Sequence, residues 1–165
     1  MVKHCDSIYT HETETYKHYF DMFPYELSDF QKYAIEGIVE KQHVLVTAHT
    51  GSGKTLPAEF AIQHFVKQGK KVIYTSPIKA LSNQKFYDFQ NKYPDITFGL
   101  FTGDIKTNPE ADVCIMTTEI LMNRLFNNDN QTSTMNDFQM DLNSELACVV
   151  FDEVHYINDA DRGQN

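Results

Sequence analysis

The sequence has no tryptophan, and its cysteines, Cys5, Cys114 and Cys148, are an odd number with no pair at metal-ligand spacing. That excludes a disulfide-stapled secreted framework and a thiolate zinc site. Cys114 and Cys148 sit inside apolar runs and read as buried free thiols of a reducing compartment. No run approaches the roughly 20 apolar residues that span a bilayer, and the opening "MVKHCDSIYTHETETYK" lacks the apolar core of a signal peptide. A soluble, intracellular protein without membrane contact is therefore expected. Positive charge is short as well: 14 Lys and Arg stand against 23 Asp and Glu, a net charge of −9. Nonspecific nucleic-acid affinity comes from basic side chains that displace counterions, so a general polyanion binder is excluded and any such grip must be local. His4, His11 and His18 share a heptad spacing beside Cys5, but a metal needs converging ligands rather than a period, and a solvated face is the simpler reading.

What is present suits one α/β domain. With 41% hydrophobic residues in 165, the chain can build a packed core around a sheet. Apolar runs recur at 43–48 (HVLVTA), 71–76 (KVIYTS), 96–103 (ITFGLFTG), 112–118 (DVCIMTT) and 147–153 (ACVVFDE). Several are continuous rather than alternating, as in strands buried on both faces of a parallel sheet. A helix is expected over 27–40, with Ser28 as N-cap and Asp29 in its first turn. A second follows from near Gly53 to a stop at Gly69, and Pro57 is tolerable if it falls in the first turn, whose amides lack intrahelical partners. Helical patterns also lie between the strands at 71–76 and 96–103 and after 112–118. Strand and helix repeated in this way predict a doubly wound, mostly parallel sheet with right-handed crossovers. The polar stretch 127–145, rich in Asn, Asp and Ser, reads as a surface insertion.

Two constellations carry chemistry. The first is "AHTGSGKT", Ala48, His49, Thr50, Gly51, Ser52, Gly53, Lys54 and Thr55, which matches the phosphate loop except that Ala48 replaces its first glycine. It is expected to follow a buried strand and open a helix, so the amides of Gly51, Gly53 and their neighbours can converge on phosphate oxygens. Lys54 would bring a charge to the β and γ phosphates, and Thr55 a hydroxyl to Mg²⁺. The second is "VVFDEVHY", in which Asp152 and Glu153 emerge at the carboxyl end of a strand, the edge where open α/β sheets bind ligands. Beside a Mg-triphosphate, Asp152 would hold the metal and Glu153 would orient and deprotonate the attacking water. A second acid placed for water favours hydrolysis over transfer to a bound alcohol.

The segments "FPYELSDFQKYAI", "AHTGSGKT", "YTSPIKALSNQKF", "TGD", "MTTEIL" and "FDEVHY" resemble, in order and approximate spacing, the first RecA-like domain of superfamily-two helicases. The resemblance is closest to the superkiller-type, exosome-associated DExH RNA helicases and runs from about Phe23 to Gly163, with residues 1–22 as an amino-terminal extension. It implies that the box is Asp152-Glu153-Val154-His155, with His155 marking the branch. It implies that Gln31 reads the adenine edge of ATP, a task suited to a carboxamide that donates and accepts together, and that Phe23 or Tyr25 packs on the base. It also implies that Pro77, Lys79, Ala80 and Gln84, then Thr102, Gly103 and Asp104, then Thr117, Thr118 and Glu119 contact an RNA backbone. Amides and hydroxyls at strand ends suit phosphate oxygens and carry no sequence code.

The resemblance also implies what lies outside these 165 residues. The Ser/Thr-Ala-Thr-type motif, the second RecA-like domain and its arginine are not among them, so the chain is expected to be a partial domain that turns over ATP slowly alone. An RNA-degradation complex is an implied partner. Two readings stay beside the RNA helicase: a DNA helicase or translocase of the same superfamily, and a nucleotide-binding interaction fragment without turnover.

Overall fold

The computed structural model describes residues 2–10, 14–126 and 140–158. The chain divides into two compact units, Met1–Gln63 and His64–Asn165. Among the described residues no helix is long and apolar enough to cross a membrane.

The first unit is built on helices α1 (Glu14–Phe20) and α2 (Asp29–Val39) and the first part of α3 (Leu56–Lys67), which runs on into the second unit. Ser28 precedes α2 in an extended conformation, and its N–H donates to Gln31 Oε1 at 3.0 Å, so one orphan amide of the helix start is satisfied. The helix ends in a Schellman closure. Lys41 N–H donates to the Ile38 carbonyl and Gln42 N–H to that of Gly37, with Lys41 itself in the left-handed region at φ 57°. Leu27, Ile35, Leu56 and Phe60 bury one another, with Phe20 and Phe23 packed against them. α3 begins at Leu56 rather than near Gly53, and Pro57 is its second residue, still in the first turn where a missing N–H removes no helical bond.

One expected strand does not form. The run 43–48 carries no strand pairing, and Val44 and Leu45 are 40% and 75% exposed. The sequence pattern reports a segment suited to burial, but a strand exists only when a neighbour supplies the other half of the ladder, and none among the described residues does so here.

In the second unit, β1 (Lys71–Ser76), β2 (Phe98–Phe101), β3 (Lys106–Thr107), β4 (Val113–Thr117) and β5 (Leu146–Phe151) form one sheet in the order β3-β2-β4-β1-β5. All pairs are parallel except β2 with the short, exposed edge strand β3, which the hydrophobic pattern did not announce. Every residue of β1 from Val72 to Ser76 is buried, as expected of a strand covered on both faces.

Helix α4 (Lys79–Lys92) covers one face: Phe89 lies edge-on to Tyr74 at 5.3 Å and against Phe98, and Ser82 Oγ meets Ser76 Oγ at 2.6 Å. Helix α5 (Thr118–Phe126) covers the other, with Leu121 among Ile73, Phe101, Cys114 and Met116. The sheet is thus doubly wound. Burial pushes the thiols of Cys114 and Cys148 up to about 11, so both stay protonated; Cys114 is a free buried thiol as expected, whereas Cys148 on β5 is only half-buried.

Most of the segment read as a surface insertion lies outside the described residues; in its last part Asp141, Asn143 and Ser144 are exposed and Met140 is not. Met140 is buried in the cluster with Ile73 and Leu121, and Asp141 accepts from Asn143 N–H and Ser144 Oγ to fold a tight turn into β5.

Gly99 in β2 has no room for a side chain. A Cβ there would collide with the Asn108 carbonyl oxygen and sit 2.9 Å from that of Thr107, both backbone atoms. Gly99→Ala should lower unfolding stability by about 1–3 kcal/mol, the cost of forcing an extra carbon into packed backbone. Urea denaturation followed by circular dichroism checks this, and an unchanged midpoint would refute it.

Candidate functional site

The glycine-bearing loop lies in the first unit and is shaped by its glycines. Gly51 and Gly53 take φ values of 84° and 82°, a region open to glycine at little cost. Between them the chain turns on His49, whose carbonyl accepts from Ser52 N–H at 3.2 Å and from Ser52 Oγ at 2.6 Å. Ala48, Ser52, Lys54 and Thr55 are half-buried, while His49, Thr50, Gly51 and Gly53 are exposed. Gln31 reaches this loop. Its Nε2 donates to the Gly53 carbonyl at 3.0 Å while its Oε1 is held by Ser28 N–H, so the carboxamide is buried and its orientation is set from both ends. One Nε2 hydrogen and one Oε1 lone pair remain for a ligand. A Cβ at Gly53 would stand 2.5 Å from Gln31 Nε2, so the contact itself demands glycine.

Of the two aromatics proposed for base packing, Phe23 is committed to the core while Tyr25 is 56% exposed. Their rings lie 6.2 Å apart, tilted by 41°, on the wall of a cleft of about 600 Å³ that also includes Lys17, Asp21 and Lys32.

The second unit gathers the remaining candidates at one edge. Because β1, β2, β4 and β5 run parallel, their carboxyl ends share that edge, and with them Pro77 to Gln84, Thr102 to Asp104, Thr117 to Glu119 and the box at Asp152. Several of these side chains have local tasks. Lys79 Nζ pairs with Asp104 Oδ2 at 2.5 Å, both exposed, joining the loops after β1 and β2. Thr117 Oγ1 accepts from Ile120 N–H and caps α5, and Thr118 Oγ1 donates to the Ser76 carbonyl. Glu119 is exposed in the first turn of α5, where the helix dipole favours an acid, and Gln84 is exposed on α4. Thr102 differs. It is 7% exposed, its N–H donates to the Ile105 carbonyl, and its hydroxyl has no hydrogen-bond partner among the described residues.

The acid pair continues β5. Asp152 N–H donates to the Thr75 carbonyl at 2.9 Å, extending the ladder one residue past the strand. Its Oδ1 accepts from Glu153 N–H at 3.0 Å and its Oδ2 from the Tyr74 hydroxyl at 2.6 Å. Glu153 then breaks the strand with a left-handed backbone at φ 54°, which turns the chain into the 3₁₀ segment Val154–Asn158. His155 Nδ1 lies 3.3 Å from Glu153 Oε2, so this exposed histidine meets the second acid rather than the first. Two adjacent acids are therefore held differently: one locked in the sheet, one swung out on a strained turn. Tyr74 is the participant that motif reading missed, and its signal was a hydroxyl-bearing ring inside an otherwise buried strand.

Residues 28–165 match the family model described as DEAD/DEAH box helicase. The chain belongs to that family. It is 48% identical over 141 residues to the Antiviral helicase SKI2 of Saccharomyces cerevisiae, covering 86% of this chain and 10% of that protein. It is also 48% identical over 139 residues to the Superkiller complex protein 2 of Homo sapiens, covering 84% and 10%. To the Exosome RNA helicase MTR4 of Homo sapiens it is 43% identical over 141 residues, covering 86% and 12%. The chain thus spans about a tenth of the length of the curated relatives it matches. The DEAD/DEAH helicase assignment accounts for the mostly parallel, doubly wound sheet, which is the RecA-like fold.

The strain at Glu153 can be measured. A non-glycine residue in the left-handed region costs about 1 kcal/mol or more. Glu153→Gly should therefore be about 1 kcal/mol more stable to urea than Glu153→Ala, which keeps the Cβ. An alanine variant as stable as the glycine variant would mean that the turn is unstrained.

Proposed function

We propose that this chain is the ATP-binding part of an ATP-dependent RNA helicase, coupling ATP hydrolysis to translocation or unwinding in the complete enzyme. The observation that carries the reading is the acid pair, with Asp152 locked on both carboxylate oxygens and Glu153 turned out beside it. Asp152 would hold Mg²⁺, and Thr55 would add a hydroxyl. Both are oxygen donors, the set this ion takes in ones and twos alongside phosphate oxygens and water. When bound, the ion neutralises charge on the phosphates. Glu153 would take the proton of the attacking water, with His155 orienting it, and Lys54 would lie against the phosphates. Gln31 would read adenine with the donor and acceptor capacity it has left, and Tyr25, the more exposed of the two rings, would pack on the base.

RNA is the proposed polymer. The relatives described as an exosome RNA helicase and as superkiller proteins support it, as do the strand-end groups. Thr102 supports it most directly, since a buried hydroxyl without a partner is costly until a ligand atom such as a phosphate oxygen supplies one. Pro77, Lys79, Gln84, Gly103, Thr117 and Glu119 would complete the backbone contact. A second RecA-like domain and an RNA-degradation complex are the proposed partners.

Calorimetry with Mg-ATP and Mg-GTP on the wild-type chain tests the nucleotide half. ATP should be preferred, Gln31→Ala should remove the preference, and Lys54→Ala should weaken ATP binding at least about tenfold, the scale of one charge-assisted contact. Glu153→Gln should keep ATP bound while slowing single-turnover hydrolysis about 10²-fold or more. Equal ATP and GTP affinity would remove Gln31 from its role, and hydrolysis undiminished in Glu153→Gln would require another base. Protection of the bound strand from nuclease, compared for single-stranded RNA and DNA, separates the RNA reading from a DNA translocase.

A further inference from the structure

We propose that Tyr74 is a positioning residue for the metal-binding carboxylate of Asp152. The inference rests on the assignment of Mg²⁺ to Asp152 above and goes beyond it by naming the group that aims the ligand.

Tyr74 stands opposite Val150 in the parallel pairing of β1 with β5, so Asp152, two residues farther along, projects from the same face of the sheet. The ring is fully buried and is held edge-on by Phe89 of α4 at 5.3 Å and 83°. From that fixed ring the hydroxyl donates to Asp152 Oδ2 at 2.6 Å. Oδ1 is held separately by Glu153 N–H, and the backbone of Asp152 by Thr75. The carboxylate is thus held on both oxygens from a fixed backbone, and each oxygen keeps a lone pair for an ion or its water.

Core packing alone does not call for a hydroxyl at position 74. Its buried neighbours on the same face of β1 and β4 include Val72 and Ile115, among which phenylalanine would pack without a polar group to satisfy. The phenol oxygen is useful there because it meets Asp152. A carboxylate at the end of a strand can rotate about its side-chain torsions, and an outer partner that removes this freedom keeps a metal ligand in the geometry a small, rigidly octahedral ion demands.

The test uses the 165-residue chain and follows ATP binding as Mg²⁺ is raised from chelated conditions. Tyr74→Phe should raise the Mg²⁺ concentration for half-maximal binding about tenfold, the low end of the cost of losing an outer partner of a metal ligand. It should leave the Mg²⁺-free affinity for ATP unchanged, and it should add nothing in an Asp152→Asn background. A variant that weakens ATP equally with and without Mg²⁺ has lost only packing, and that result, like an unshifted Mg²⁺ dependence, overturns the inference.

Selective ¹³C labelling of tyrosine at Cζ gives a readout free of any folding defect in the variant. In the wild type, the Tyr74 resonance should move when Mg²⁺ is added to the nucleotide-bound chain and should stay still in Asp152→Asn. A Tyr74 signal indifferent to Mg²⁺ while ATP binding remains Mg²⁺-dependent also overturns it. Wild-type ATP binding that ignores Mg²⁺ altogether removes the underlying metal assignment instead.

Discussion

The second unit depends on the double ladder of β1. Its backbone pairs with β4 on one side and β5 on the other, while both faces of its side chains are buried, so nothing about the strand is solvated from Val72 to Ser76. A strand in that position cannot shift by one residue without moving Ile73 from the α5 face to the α4 face and Tyr74 the other way. The register is therefore rigidly specified, and everything at its carboxyl end inherits the precision. Asp152 is the clearest beneficiary, since Thr75 takes its N–H and Tyr74 reaches its carboxylate.

That rigidity contrasts with the residue that follows. Glu153 leaves the sheet through a left-handed turn that an L-amino acid adopts only at a cost, and its carboxylate meets His155 instead of the strand. A metal ligand benefits from a fixed direction, whereas a residue that handles water has to reach away from the sheet. In the proposed function, backbone conformation would separate these neighbouring acids of one chemistry into those two roles. The first unit applies a related device at Gly53, where a bare Cα lets the Gln31 carboxamide approach the glycine-bearing loop closely enough to bond its carbonyl.

An acidic chain can still meet a polyanion if the contact is confined to strand ends. Among the described candidate residues at the edge of this sheet, hydroxyls and the Gln84 carboxamide stand beside the acids Asp104 and Glu119, and Lys79 is already matched by Asp104. Recognition of that kind would depend on geometry more than on net charge, as the proposed backbone contact requires. It also explains why so many of the motif residues have ordinary structural duties: Thr117 caps a helix and Thr118 bonds the end of β1 while both remain at the edge.

Much was legible in the sequence because it is written locally. Continuous apolar runs marked β1, β2, β4 and β5, and Ser28 marked the start of α2, each a property of a few consecutive residues. Asp152 and Glu153 were equally visible as acids at the end of an apolar run, although β5 is only half-buried and Phe151 is exposed, because β5 is an edge strand paired only with β1 among the described residues. Tertiary structure alone decided what depends on partners distant in the chain. It left 43–48 unpaired despite a strand-like composition, because a ladder needs a neighbour and hydrophobicity cannot name one. It put Met140 in the core although its surroundings in the sequence are polar. It also chose Tyr74, distant in sequence from Asp152, as the donor to that carboxylate. Composition records that a buried hydroxyl must find an acceptor, but only the register between two strands determines which acceptor lies within reach.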